Sequence, residues 1–217
     1  MSDSTALVWF RRDLRAHDHA ALARALAAAG RVFCAFVFDR AILDALPRRD
    51  RRVEFIWHSV HELDQALRKH GGGLMVLHGQ ARAEIPRLAA QLKVDAVFAN
   101  DDYEPDAVAR DAAVRTALAG SGIDFVACKD HVIFEKDEVL TQDGRPFSVF
   151  TPYKNAWLKQ VREADLQPYP VGRYVRALAP RPEADRQPVP TLQELGFEPT
   201  NLGDLAISTG SPGRSEE

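Results

Sequence analysis

Apolar runs alternate with amphipathic stretches over the first 130 residues. Thr5–Phe10 (TALVWF), 31–38 (RVFCAFVF), 74–77 (LMVL), 94–99 (VDAVFA) and 123–127 are short and almost continuously apolar. That is the pattern of strands buried on both faces. The stretches between them carry helical spacing. Asp18 is placed to cap a helix through Ala20, Leu22 and Leu26 that stops at Gly30. Residues 51–70 put Val53, Ile56, Val60, Leu63 and Leu67 on one face and end at Gly71-Gly72-Gly73, where the glycines read as a flexible cap. Residues 83–92 read as a helix with Pro86 in its first turn, and 104–118 as one with Pro105 at the first position.

Strands that alternate with helices five times imply parallel βαβ units with right-handed crossovers. Residues 1–130 are therefore expected to form an α/β domain, a doubly wound five-stranded parallel sheet of Rossmann-like type. Residues 131–165 read as an extension of it: a short hairpin (132–134 and 138–141 about the turn Gln142-Asp143-Gly144-Arg145), then a helix over 153–163. From Pro168 onward come eight of the thirteen prolines. Residues 166–217 thus read as a Pro-rich connector, with one possible helical turn at 192–195. A folded chain rarely ends in so long a linker. Either something follows residue 217, or this stretch wraps the domain.

Composition narrows the function. Of 217 residues, 28 are Lys or Arg and 31 are Asp or Glu, a formal charge of −3. Such a balance argues against a chain built mainly to coat DNA. Two cysteines, Cys34 and Cys128, cannot make a disulfide framework and point to a reducing, cytoplasmic setting. No apolar run nears the roughly 20 residues of a membrane span. The polar opening Met-Ser-Asp-Ser-Thr does not read as a signal peptide.

In an open parallel sheet, ligands bind beyond the carboxyl ends of the strands, where strand order reverses. The residues that follow the strands are Arg11, Arg12, Asp13 and Arg15; Asp39 and Arg40; His78 and Gly79; and Asn100, Asp101, Asp102, Tyr103 and Glu104. They make a rim of both charge signs near Trp9, Phe10, Phe36 and Phe38. The loop after the first strand is Arg-rich, and neither G-x-G-x-x-G nor G-x-x-x-x-G-K-[ST] occurs. That disfavours a dinucleotide dehydrogenase or an NTPase. His58 and His61 lack the H-E-x-x-H order and read as a solvated or packed pair. Both cysteines read as buried, inert thiols. There is no G-x-S-x-G elbow, and Gly210-Ser211-Pro212-Gly213 is tail. Three readings of 101–104 stay open: oxygen ligands for a divalent cation, a helix cap, or acceptors for the N–H and O–H groups of a heterocycle. Arg11 and Arg12 have an alternative of their own, an ion pair with Asp13 or another rim carboxylate.

Trp9–Arg15 (WFRRDLR) resembles the opening signature of the DNA photolyase/cryptochrome family. Asn100–Asp111 (NDDYEPDAVARD), Val149–Lys159 (VFTPYKNAWLK) and the Pro-rich connector resemble its later landmarks, in order and in register. The resemblance implies an N-terminal α/β domain with an antenna chromophore in the crevice. It also implies a C-terminal helical domain that carries FAD, contacts DNA and splits cyclobutane pyrimidine dimers flipped out of the duplex. This chain then corresponds to the antenna half of a deoxyribodipyrimidine photo-lyase, a carbon–carbon lyase. It would be non-catalytic alone, with the FAD-binding helical domain as partner and DNA met only through that domain. Freed of that domain, the half would expose an apolar patch and self-associate.

By the same resemblance, the deazaflavin-type pocket falls on Arg12, Phe36, Asp39, Asp102 and Glu104, flanked by Arg11 and Asp101. Phe36 would pack on a ring face, Asp102 and Glu104 would accept from ring or ribityl donors, and Arg12 would balance an anionic oxygen. The folate-type pattern expects a His and an Asn-Glu pair where this chain has Leu46, Asp106 and Ala107. 8-hydroxy-deazaflavin or FMN is therefore preferred to methenyltetrahydrofolate. Three alternatives remain: a cryptochrome-type photoreceptor domain, a stand-alone nucleotide-binding module with Asp101 and Asp102 near a cation, or a truncated product without a ligand.

Overall fold

The computed structural model describes residues 4–205. The expected polar opening at 1–3, Pro212 and the tail 210–213 lie outside the described residues. All five expected strands form: β1 (Thr5–Phe10), β2 (Arg31–Asp39), β3 (Leu74–Gly79), β4 (Ala96–Asn100) and β5 (Asp124–Cys128). They pair in parallel in the order β3-β2-β1-β4-β5, which confirms the α/β sheet. The helices are α1 (Ala20–Ala28), α2 (Arg40–Leu43), α3 (Arg51–Lys69), α4 (Ala81–Leu92), α5 (Pro105–Ala119) and α6 (Phe150–Gln160).

The continuous apolar strands follow from burial on both faces. Ala6, Val8 and Phe10 of β1 join one core with Leu22 and Leu26 of α1 and Val60, Leu63 and Leu67 of α3. Leu7 and Trp9, which alternate with them, join a second core with Ile85 and Leu88 of α4 and Val114 and Leu118 of α5. Among the described residues, no helix is long and apolar enough to cross a membrane.

Several local expectations need correction. The cap of α1 is His19, whose side chain accepts from the Leu22 N–H, while Asp18 adopts a left-handed φ of 45°. α1 spans Ala20–Ala28 with the extended Ala29 as its C-cap, so Gly30 does follow as the C′ residue, though without the positive φ of a left-handed cap. Ile56 is 36% exposed, so the apolar face of α3 is narrower than its spacing implies. Pro86 is the sixth residue of α4, because that helix begins at Ala81. Residues 132–134 and 138–141 do not pair as strands. They form a loop with a 3-10 turn at Lys136–Glu138, and the turn expected beside them is closed by the Thr141 N–H on the Arg145 carbonyl at 2.9 Å. α6 starts at Phe150, three residues earlier than its pattern suggests, and α2 was not foreseen.

The Pro-rich segment is a strap over the α1/α3 face. Val171, Leu178, Val189, Leu192, Leu195 and Phe197 are buried in the first core, and Leu202 is buried as well. Leu178 bridges to Val32, and the Ala179 N–H donates to the Val32 carbonyl at 2.9 Å. Trp57 Nε1–H donates to the Pro190 carbonyl at 2.7 Å, and the Thr200 N–H to Glu54 Oε2 at 2.8 Å. The glycines after α3 serve this docking. A Cβ on Gly72 would stand 3.3 Å from Leu178 Cβ, and one on Gly73 would stand 3.2 Å from Arg181 Cγ. Gly71, at φ +83°, makes the turn out of the helix.

If the strap belongs to the fold, Leu178→Ala will lower the unfolding free energy by about 2–3 kcal/mol, the usual cost of emptying a buried leucine site. Urea denaturation checks this; a loss below about 0.5 kcal/mol, typical of surface substitutions, would return residues 171–202 to the status of a linker.

Candidate functional site

Strand order reverses between β1 and β4, and the crevice there is closed by a buried polar network. Asp13, just beyond β1, is buried, and so are His19 and Asn100. Asp13 Oδ1 accepts from the Arg11 N–H at 3.1 Å. Its Oδ2 accepts from His19 Nε2 at 3.0 Å and from the Asn100 amide. Burial opposes the charge on Asp13, but these donors outweigh it and hold the carboxyl well below the ordinary range. His19 Nδ1 accepts from the Leu22 N–H at 3.0 Å, so the proton sits on Nε2, facing Asp13. Asn100 Oδ1 accepts from the Ala21 N–H at 2.8 Å, and Asp130 Oδ1 from the Ala20 N–H at 2.9 Å. Three free N–H groups of the first turn of α1 thus have side-chain partners. In a dinucleotide-binding fold, that helix end would face a pyrophosphate.

A second group of charges stands at the rim. Arg12 reaches Asp102 Oδ1 at 3.2 Å and Glu104 Oε1 at 3.1 Å. Its side chain is 56% exposed, while that of Asp102 is 8% exposed. The hydrogen bond that Arg12 donates to Glu104 chiefly raises the Arg12 pKa against the effect of burial. Burial would raise the Asp102 pKa, yet the Glu104 N–H and the charge of Arg12 carry it below the usual value. Arg11 does not join this pair. It donates to Asp111 Oδ2 at 2.5 Å and lies over the Trp9 ring, 4.9 Å from its centroid, with Arg110 at 5.0 Å. The open question of ion pairs at Arg11 and Arg12 thus resolves to Asp111 for one and to Asp102 and Glu104 for the other.

The predicted residues therefore fall into two groups. Arg12, Asp102 and Glu104 converge, with Arg11 beside them. Phe36 and Asp39 belong to β2. Phe36 is buried in the first core, edge-on to Phe38 at 4.9 Å, and Asp39 caps α2 by accepting from the Ala41 N–H at 3.1 Å. The Asp101 N–H donates to the Cys128 carbonyl at 2.7 Å, which ties the rim to β5. Glu104 precedes α5 but makes no side-chain cap bond. His19, Asp111 and Asp130 organise the site and were not singled out by the sequence, whereas Asn100 was read as part of the rim and is buried instead. His19 stands at a helix start and Asp130 just past a strand, which is a weak signal, and Asp111 in the middle of α5 carries none of that kind.

Cation sites fare poorly among the described residues. Asp13, Asp130 and His131 have ligand atoms within 4.8 Å of one another, but both carboxylates already accept hydrogen bonds and Arg15 donates to Asp130 at 2.7 Å. Cys34 and Cys128 are buried, and burial pushes both thiols up. His61 meets the Trp57 ring edge-on at 4.3 Å, a packed arrangement rather than a ligand set. One cavity of about 450 Å³ lies at Arg49, Asp50, Arg51, Thr200 and Asn201, and another of about 300 Å³ lies between Ala16–Asp18, His70 and the 168–175 segment. No predicted site residue lines either.

Comparison with known proteins adds the following. Residues 6–172 match the family model described as DNA photolyase. The chain is 33% identical over 201 residues to a deoxyribodipyrimidine photo-lyase of Synechococcus sp., covering 88% of this chain and 40% of that protein. The structure resembles that of a class III photolyase from Agrobacterium tumefaciens (TM-score 0.75, 26% identity, 92% of this chain and 39% of that one). It also resembles an archaeal photolyase from Sulfolobus tokodaii, described as holding two FAD molecules and implying a novel light-harvesting cofactor (TM-score 0.63, 34% identity, 73% of this chain and 36% of that one). Cryptochromes match as well. The chain thus spans about two fifths of the length of these relatives.

The buried network makes a stability prediction. Asp13 is ionised when folded at a pH where a free aspartate, with its pKa near 3.9, is already protonated. Its contribution is therefore complete above about pH 4 and is lost as the pH falls further. Asp13→Asn, which sets a donor against two donors, should cost about 3 kcal/mol at pH 7. It should also flatten the acid limb of a stability–pH profile. An unchanged limb in denaturant titrations from pH 7 to 3 would remove Asp13 from its central place.

Proposed function

The chain belongs to the DNA photolyase family, and from that premise we propose that it is a light-harvesting domain that holds a flavin-like antenna chromophore at the rim of the β1/β4 crevice. One observation carries this reading: Arg12, Asp102 and Glu104 meet within hydrogen-bond distance at the mouth of a crevice whose helix N-terminus is already satisfied. Such a site recognises a ligand by side-chain charge and acceptors rather than by cradling a phosphate.

Each residue then has a task. Arg12 is mobile enough to turn from its carboxylates toward an anionic ring oxygen. Asp102, kept ionised, and Glu104 accept from ring or ribityl N–H and O–H groups. Phe36 and Asp39 stand one strand away: Phe36 backs the crevice from the core, and Asp39 supplies a further acceptor. Asp101 and Arg11 brace the loops on which these groups stand. When bound, the antenna absorbs near-ultraviolet or blue light and passes excitation energy onward.

8-hydroxy-deazaflavin or FMN fits this rim better than methenyltetrahydrofolate, since Leu46, Asp106 and Ala107 offer neither the imidazole nor the amide–carboxylate pair expected for folate. The description of the Sulfolobus tokodaii photolyase as holding two FAD molecules supports a flavin in this role. Energy would pass to FAD on a C-terminal helical domain, which would bind DNA and split cyclobutane pyrimidine dimers. A cytoplasmic setting follows from that task. This chain alone would repair nothing.

Titration of the purified chain with FMN and with a deazaflavin tests the reading. Binding is expected with a shifted absorption band. Arg12→Ala and Glu104→Gln are each expected to weaken it about tenfold, the loss of one charged hydrogen bond. If neither compound binds, or if both variants bind as well as the parent, the rim is not an antenna site.

A further inference from the structure

Residues 129–138 run past the carboxyl ends of β1, β4 and β5, and the two ends of this segment are held differently. At its start the Asp130 side chain is fully buried, with hydrogen bonds from the Ala20 N–H and from Arg15. That end cannot lift without unpairing a buried charge. The far end is a small preassembled unit at the surface. Lys129 Nζ reaches both Glu138 oxygens, at 2.9 and 2.7 Å, and the Glu135 N–H donates to Glu138 Oε2 at 2.7 Å. The Phe134 ring meets Trp157 of α6 edge-on at 5.7 Å, and Gln160 of α6 donates to the Glu138 carbonyl at 2.8 Å. This unit reaches the rim loop through one side-chain hydrogen bond: Tyr103 Oη donates to Glu135 Oε2 at 2.7 Å.

Tyr103 stands between Asp102 and Glu104, the two carboxylates that hold Arg12. Its ring is partly open, 39% exposed, and can lie against a flat ligand. We propose that the 134–138 turn is a lid on the crevice, that Tyr103 and Glu135 are its latch, and that this latch sets how slowly a flat aromatic chromophore leaves. Burial, together with the Glu135 carboxylate, raises the phenol above its usual pKa, so it remains a donor throughout the neutral range. The 3-10 turn closes on itself whether or not Tyr103 is bound to it. Opening toward the rim therefore means breaking the one hydrogen bond to Tyr103 while the unit stays tied to Lys129 and to α6, which form its hinge side.

The proposal rests on the reading of the rim as a chromophore site, so its test has one arm with ligand and one without. With ligand, FMN release is followed by the recovery of its fluorescence on dilution. Tyr103→Phe keeps the ring and removes the donor, and FMN should leave about tenfold faster. Glu135→Gln keeps an acceptor oxygen and should stay within about threefold of the parent, since a neutral acceptor retains part of the bond. Without ligand, amide hydrogen exchange across 134–138 should quicken in Tyr103→Phe and leave β1 and β4 unchanged. Equal release rates, or equal exchange across 134–138, overturn the latch. If the parent chain binds neither FMN nor a deazaflavin, the chromophore reading fails, and the exchange experiment alone then decides the latch.

Discussion

A carboxylate can stay charged inside a protein only if donors surround it, and the centre of this fold is arranged around that requirement at Asp13. Three groups meet it: the Arg11 N–H, His19 and Asn100. Two of them are committed at their other ends to the first turn of α1. One buried charge thereby sets the path of the loop after β1, the tautomer of His19, the start of α1 and the end of β4. It also decides what the crevice can do. With its N–H groups taken, α1 offers no phosphate cradle, and the charges left at the crevice mouth are those of Arg12, Asp102 and Glu104.

That arrangement separates buried charge from rim charge within three consecutive residues. Arg11 is spent on Asp111 and on the face of Trp9, where its side chain is nearly buried. Arg12, its neighbour, keeps an exposed guanidinium on two rim carboxylates. Asp13 turns inward again. The chain bends at Arg11 and Arg12 as it leaves β1, and the Arg-Arg-Asp run is thereby distributed among α5, the rim and the crevice.

The strands were legible in the sequence because burial on both faces leaves a continuous apolar run that nothing else explains. The rim was legible because topology alone places the residues after β1 and β4 together. What escaped were choices between chemically similar neighbours. Asp18 and His19 are both plausible caps, and only the position of Leu22 relative to each ring or carboxylate decides between them. Asp39 and Phe36 sit at the right end of β2, yet one is drawn into capping α2 and the other into the core. Their distance from Arg12 along the sheet cannot be read from spacing. The strap escaped for another reason. Leu178, Leu192, Leu195 and Phe197 are dispersed among prolines, so no helical or strand period reveals that they share a buried face. The glycines that seat the strap look like a simple helix stop. The loop at 132–141 carries a turn signal without strands, because Glu135, Glu138 and Lys129 satisfy one another locally and leave no edge to pair.

The most direct test of a rim-centred chromophore site is an amide NMR map of the labelled chain as FMN or 8-hydroxy-deazaflavin is added. Shifts should centre on residues 11–13 and 100–104 and extend to 36–41, with the amides of Ala20–Leu22 little changed because their acceptors stay in place. Shifts that instead gather at Arg49–Arg51 and Thr200–Asn201, or large movements of Ala20–Leu22 as a ligand takes over the helix end, would contradict it.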